Sequence, residues 1–236
     1  AKARPGEIGR KALSRTLSDL AAMGATPLAA VITLGVPAGE SASRLAAIYR
    51  GMEAIAKKYR VNLVGGETTK AEQLFLNVAL LGECKGYQPI LRSTARAGDS
   101  IFVTGRLGGT QKQHHLIFKP RLAEGEWLAR YKLASAMMDI SDGLGADLPR
   151  LAEASHVDFA LNGKAIPRRR GASLNQAIND GEDYELLFTA PPSHVKTLKK
   201  KWPFATALHC IGVITPRGKK PTRAVLAHGF DHFKQR

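Results

Sequence analysis

Three absences narrow the field before any motif is read. Cysteine is nearly missing: Cys84 and Cys210 are the only two. Two isolated cysteines match neither a disulfide framework nor a zinc site, so a reducing cytoplasm is the expected compartment. Long apolar runs are missing as well. No stretch nears the ~20 residues that a membrane helix needs, so no membrane role is expected. The opening residues, Ala1 to Gly6, have no signal-peptide core behind them and no starting Met. The native chain is therefore expected to begin earlier. Third, the common phosphate cradles are absent. Neither G-x-x-x-x-G-K-[ST] nor G-x-G-x-x-G occurs, nor a protein-kinase catalytic loop, nor H-E-x-x-H among the seven histidines. A chain of this sequence that handles phosphates must do so with another device.

Acidic residues are also scarce, 20 against 35 basic ones, for a net charge of +15. That balance favours anionic partners such as nucleotides and phosphates. The basic residues are dispersed, however. The densest runs, Arg168–Arg170, Lys199–Lys201 and Arg217–Lys220, read as solvated loops and helix ends, and nucleic acid is not the expected partner.

What is present is an ordinary globular chain, with 236 residues of which 44% are hydrophobic, enough for a sizeable core. Ile8, Leu13, Leu17 and Leu20 recur at helical spacing up to Gly24, which predicts a helix over 8–24. Residues 28–36 read as a buried strand. The clearest helix spans 41–59, with Ser41 as N-cap and a stripe of Leu45, Ile48, Met52, Ile55 and Tyr59. A short strand over 61–64 is expected to end at a Gly65-Gly66 turn, and another strand covers 74–82. Residues 85–98, rich in Gly, Pro and Arg, read as a linker. Beyond it, strands are expected at 100–104, 157–161, 184–189, 208–214 and 223–227. Helices are expected at about 120–136, 143–154 and 192–201. The pattern is mixed α/β, divided into a lobe over 1–96 and a lobe over 97–236.

Four segments can carry chemistry. In Met138-Asp139-Ile140-Ser141-Asp142-Gly143, an apolar segment delivers two carboxylates to a strand–helix junction, with Asp147 close behind. Such a pair suits Mg²⁺, which prefers hard oxygens and bridges phosphates; the same residues also suit helix capping. Asp19 interrupts an apolar helical stretch, so it is either on the solvated face or buried for a reason. Val64-Gly65-Gly66-Glu67-Thr68 lets backbone amides approach a phosphate and adds an acid; an ordinary turn looks alike. Asp180-Gly181-Glu182-Asp183-Tyr184-Glu185 packs four acids into six residues of a chain that has few.

In order along the chain, TLSDLAAMGA (16–25), VGGETT (64–69), MDISDGL (138–144), DGEDYELLF (180–188) and GFDHF (229–233) resemble the thiamine-monophosphate kinase family. The SDG element alone is shared with the wider superfamily of aminoimidazole ribonucleotide synthetase. The resemblance implies a two-lobed α/β (α+β) fold in which the N-terminal lobes of a homodimer share a β-barrel. ATP would lie in a cleft between lobes and subunits. The activity it implies is transfer of the ATP γ-phosphoryl group to thiamine monophosphate, with Mg²⁺ neutralising charge and no covalent intermediate.

Carried over position by position, Asp19, Asp139 and Asp142 match metal ligands, with Asp139 and Asp142 at the catalytic centre. Gly66 and Glu67 match a nucleotide and metal turn, Ser141 and Arg92 match ATP contacts, and Tyr49 matches an aromatic position near the nucleotide. Glu182 and Phe230 match substrate contacts, Phe230 against the thiamine rings. The family's early Gly-Asp-Asp and D-x-[LM]-x-E-G-x-H-F segments would precede Ala1, and the given residues without them are expected to be inactive. Family residues are also expected to be missing between about 110 and 114. Glu67 stands where the family has Asp, and Asp180 where it has Gly. Two rivals remain: a superfamily member with another acceptor, and a non-catalytic basic protein that binds nucleic acid. The GEDYELLF and HF endings weigh against the first, and the retained Asp19, Asp139 and Asp142 against the second.

Overall fold

The computed structural model describes residues 3–111 and 113–218. Two sheets organise it. The first has three strands, β1 (Thr26–Val36), β2 (Asn62–Lys70) and β3 (Phe75–Glu83), in the order β2-β1-β3. β1 runs parallel to β2 and antiparallel to β3. Helices α1 (Pro5–Met23) and α2 (Ala42–Tyr59) cover one of its faces. Side-chain alternation sends Ala30, Ile32 and Leu34 inward, and Ala30 and Ile32 meet Leu13 and Leu17 of α1 and Ile48 and Met52 of α2. As expected, Ser41 Oγ accepts the Arg44 amide at the start of α2, and Gly24 ends α1 in the left-handed conformation.

The second sheet has five strands. These are β4 (Ser100–Thr104), β5 (Ala136–Asp139), β6 (Asp158–Leu161), β7 (Leu186–Ala190) and β8 (Leu208–Thr215), ordered β5-β7-β4-β8-β6 and antiparallel throughout. Helices cover both faces, so β4 and β7 are buried almost end to end. Ile101, Val103 and Leu187 face α5 (Leu144–Ala154) and α6 (Leu174–Asn179). Phe102 and Phe188 stack at 5.3 Å on the other face, beside α1, α4 (Leu122–Arg130) and α7 (Pro192–Lys201).

Helix α1 belongs to both halves. Its Leu13 and Leu17 lie in the first core, and Ala21 and Ala22 in the second. Close backbone approach fixes it there. A Cβ on Gly9 would sit 1.9 Å from the Ile48 carbonyl oxygen, and one on Gly125 of α4 would sit 2.0 Å from the Ala21 oxygen.

Three expectations need correction. Gly65 and Gly66 do not end a strand, because β2 runs on to Lys70. Val64 is an extra residue in the ladder, and Gly66 passes so near β1 that a Cβ would lie 1.9 Å from the Ile32 oxygen. A glycine bulge inside a strand reads as a turn in sequence. The helix expected over 120–136 ends at Arg130, which makes room for β5. No helix is expected between 105 and about 120 or at 174–179, yet α3 (His114–Ile117) and α6 form there. The strand expected at 223–227 and Phe230 lie outside the described residues.

Candidate active site

The cleft forms where α1, the β5–α5 junction and the 180–185 segment meet. Its volume is ≈ 870 Å³, and its walls include Arg15, Asp19, Asp139, Ser141, Asp142 and Glu182. That is within the size range of small-molecule sites.

Asp139 is the last residue of β5 and is buried. Ser18 of α1 donates its hydroxyl to Asp139 Oδ2 at 2.5 Å, tying the two halves together at the cleft floor. Burial pushes the Asp139 carboxyl up to about 7. The Ser18 hydrogen bond opposes the shift, and the negative charges of Asp19 and Asp147 add to it. Asp19 opens on the cleft one residue later in α1; loss of water at the cleft wall raises its carboxyl, against the pull of Arg15. Of the two readings of Asp19 the solvated one holds: the residue is exposed, and the surface it occupies is the cleft wall.

Asp147, in the first turn of α5, is fully buried and reaches back to hold the turn that precedes the helix. Its Oδ2 accepts the Ser141 and Asp142 amides, each at 2.9 Å. This fixes the turn that presents Ser141 and Asp142. Arg150 lies one turn further and donates to Asp142 Oδ2 at 2.5 Å and to Asp147 Oδ1 at 2.8 Å. Among the described residues no side chain caps α5, whose N-cap is Gly143, so neither Asp139 nor Asp142 is a helix cap, and both line the cleft.

The opposite wall is the 180–185 segment, sewn to β5 by its backbone. Glu182 N–H donates to Ser141 O at 2.7 Å, and Tyr184 N–H donates to Ile140 O at 2.8 Å. Glu182 and Tyr184 both hold left-handed φ angles, 55° and 51°. Two such residues around one buried acid mark a conformation imposed by its surroundings. Those surroundings are charged pairs. Buried Asp183 is ion-paired with Arg169 and accepts the Gly108 amide at 3.0 Å. Buried Glu185 takes a two-pronged bond from Arg121 at 2.7 and 2.6 Å. Glu182 itself pairs with Lys11 of α1 at 2.5 Å and with His115 at 3.2 Å. Asp180 needs no glycine freedom, since its φ is −65°, and its Oδ2 accepts the Gly109 amide at 2.7 Å.

The remaining sequence candidates lie elsewhere. Glu67 is exposed on β2, with Gly66 in the ladder beside it. Tyr49 is half-buried against the core between α2 and the first sheet. Arg92 is exposed, with its carbonyl bound to Ser155 at the far end of α5. None of the four lines the cleft. Sequence reading missed Arg15, Lys11, Arg121 and Arg169. Lys11 and Arg15 left a signal there, standing at helical spacing before Asp19; Arg169 stood in the Arg168–Arg170 run read as a solvated loop, whereas it is half-buried and paired with Asp183.

Residues 1–84 match the family described as AIR synthase related protein, N-terminal domain. The chain is 31% identical to the thiamine-monophosphate kinase of Bacillus subtilis over 271 residues, covering 98% of this chain and 82% of that protein. This chain is shorter than that alignment, so it carries gaps against the relative. The chain belongs to the thiamine-monophosphate kinase family. A second member, from Rhodopirellula baltica, is 36% identical over 82% of this chain, which spans only 64% of that relative's length. Among solved members of the family, a kinase from Aquifex aeolicus superposes with a TM-score of 0.79 at 31% identity, covering 90% of this chain and 79% of that one. ThiL in complex with AMPPCP and TMP superposes with a TM-score of 0.87 at 29% identity, covering 98% and 82%. The hydrogenase maturation protein HypE shares the fold alone, with a TM-score of 0.77 at 18% identity over 96% of this chain and 84% of that one. Among the described residues, no helix is long and apolar enough to cross a membrane.

Proposed function

We propose that this protein transfers the γ-phosphoryl group of ATP to the phosphate of thiamine monophosphate, giving thiamine diphosphate. One observation carries the proposal: Asp19, Asp139, Ser141 and Asp142 converge on one cleft whose other wall is the Glu182 segment. Membership of the family and the likeness to a ThiL complex with AMPPCP and TMP support the same reading.

Magnesium is the cation we assign to the cleft. Hard carboxylate oxygens suit it, and the raised Asp139 carboxyl belongs to a buried group crowded by Asp19 and Asp147, which a divalent cation would relieve. Among the described residues, no three His, Cys, Asp or Glu side chains already form a metal cage. Mg²⁺ commonly takes one or two carboxylates and completes its shell with water and phosphates. When bound, it supplies charge neutralisation for the phosphoryl oxygens.

The chain's own residues supply position. Ser18 holds one Asp139 oxygen and leaves the other for the cleft. The Ser141 amide is committed to Asp147, so its hydroxyl is the group offered to a nucleotide phosphate. Glu182, steadied by Lys11 and His115, offers a carboxylate to the aminopyrimidine of the acceptor.

Gly66, Glu67, Tyr49 and Arg92 we assign to the nucleotide side, in a cleft completed by a second copy. The uncovered face of the first sheet supports a homodimer: Val31, Val64, Phe75 and Leu81 are all exposed there. The division into lobes over 1–96 and 97–236 is likewise our reading, supported by one sheet on each side of the linker.

The test is incubation of the full-length protein with Mg-ATP and thiamine monophosphate, with thiamine diphosphate as the readout. Product is the expected result. ATP binding without product would point to another acceptor, and neither would point to a non-catalytic basic protein.

A further inference from the structure

The cleft is strongly acidic for a site that must take two phosphorylated substrates. Asp19, Asp139, Asp142, Asp180 and Glu182 all line it, and among the described residues Arg15 is the one cation in its wall. The neighbouring cations are already committed. Lys11 is held by Glu182, and Arg150 by Asp142 and Asp147. Arg15 is exposed and makes no hydrogen bond or ion pair among the described residues. Its nearest candidate partner on α1 is Asp19, one turn later. A basic residue that precedes its acid by four positions is in the weaker of the two helical orientations, so Asp19 does not capture it.

The position of Arg15 is also specific. It lines the same cleft as Asp19 and Tyr184. Asp19 belongs to the wall assigned to the metal, and Tyr184 to the segment assigned to the acceptor. A cation that lines the cleft with both is placed to meet the acceptor's phosphate.

We infer that Arg15 binds the phosphate of the acceptor and gives the cleft its preference for a phosphorylated acceptor over the free alcohol. The inference rests on the kinase reading above. A guanidinium presents a planar fork that matches two phosphate oxygens, whereas the carboxylates around it repel them. Because Arg15 has no ion pair among the described residues, engaging the phosphate breaks none there.

Binding of thiamine monophosphate and of thiamine to the full-length protein, by calorimetry with Mg²⁺ and AMPPCP present, tests this. The comparison uses wild type, Arg15→Ala and Arg15→Lys. Alanine is a strong helix former, and the site is exposed, so the variants keep the fold. Arg15→Ala should weaken thiamine monophosphate by about tenfold or more and leave thiamine within twofold. In turnover, KM for thiamine monophosphate should rise by a similar factor while KM for ATP stays put, and Arg15→Lys should recover part of the loss. Equal losses for thiamine and thiamine monophosphate, a loss confined to ATP, or no loss would each overturn the assignment. A wild-type protein that makes no thiamine diphosphate would overturn the kinase reading, and this inference with it.

Discussion

In the five-stranded half, the buried acids Asp183 and Glu185 are each met by an arginine, Arg169 and Arg121. The turn at Ser141 and Asp142 is closed from inside by Asp147. In the three-stranded half, Val31, Val64, Phe75 and Leu81 face outward, and Glu67 stands exposed on the same sheet. The first region finishes its contacts within one chain; the second leaves an apolar face open. The contrast separates a cleft wall that one chain can build alone from a wall that, on our reading, a second copy supplies.

The sharpest way to test the finished region is Asp139→Asn. It removes a charge while keeping an acceptor for Ser18, so kcat for thiamine diphosphate formation should fall by about a thousandfold with little change in melting temperature. An unchanged kcat would remove Asp139 from the chemistry. Next is Arg169→Met, which strands Asp183 in the core. It should cost about 3 kcal/mol in denaturant unfolding, far more than the same change at exposed Arg92. Equal costs at the two sites would mean that the buried pair does not hold the 180–185 segment.

The open region is probed by Leu81→Glu, which puts a charge on the apolar face. Dimer dissociation, followed by light scattering, should shift by about a hundredfold while the protomer stays folded. A wild-type protein that stays monomeric at high concentration would remove the second copy from our reading.

The smallest effect is on pH dependence. Burial and the charge of Arg169 lower His114 to about 4, and Arg169 donates to its Nε2 at 2.7 Å. The unfolded chain, with its histidine near 6.5, takes up the proton first. The stability from neutral His114 is therefore full above pH 6.5 and is lost as pH falls towards 4. Asp139, Asp147 and Asp183, raised by burial, act with the opposite sign. The difference between wild type and His114→Gln in melting temperature from pH 7 to pH 4 isolates the histidine. The variant's curve should fall less steeply on the acid side, and parallel curves would contradict the assignment.

Much of the chain is readable from local pattern. The stripe of Ile48, Met52 and Ile55 specifies α2, and the apolar run before Asp139 places that carboxylate at a strand end, because both depend on neighbours a few residues away. The order of the LSDLAAMGA, SDGL and GEDYELLF segments identifies the family for the same reason: each keeps its chemistry within one turn or strand end. What only the tertiary structure decided involves partners distant in sequence. Gly66 continues a strand because of the Ile32 carbonyl on the next strand, and Arg121 meets Glu185 across 64 positions. Ser18 reaches Asp139 across 121 positions. Arg15 becomes a cleft cation only once α1 is wedged between the two sheets. Sequence spacing sets which residues share an element; the packing of elements, governed by close backbone approach and burial, sets which of them face one another.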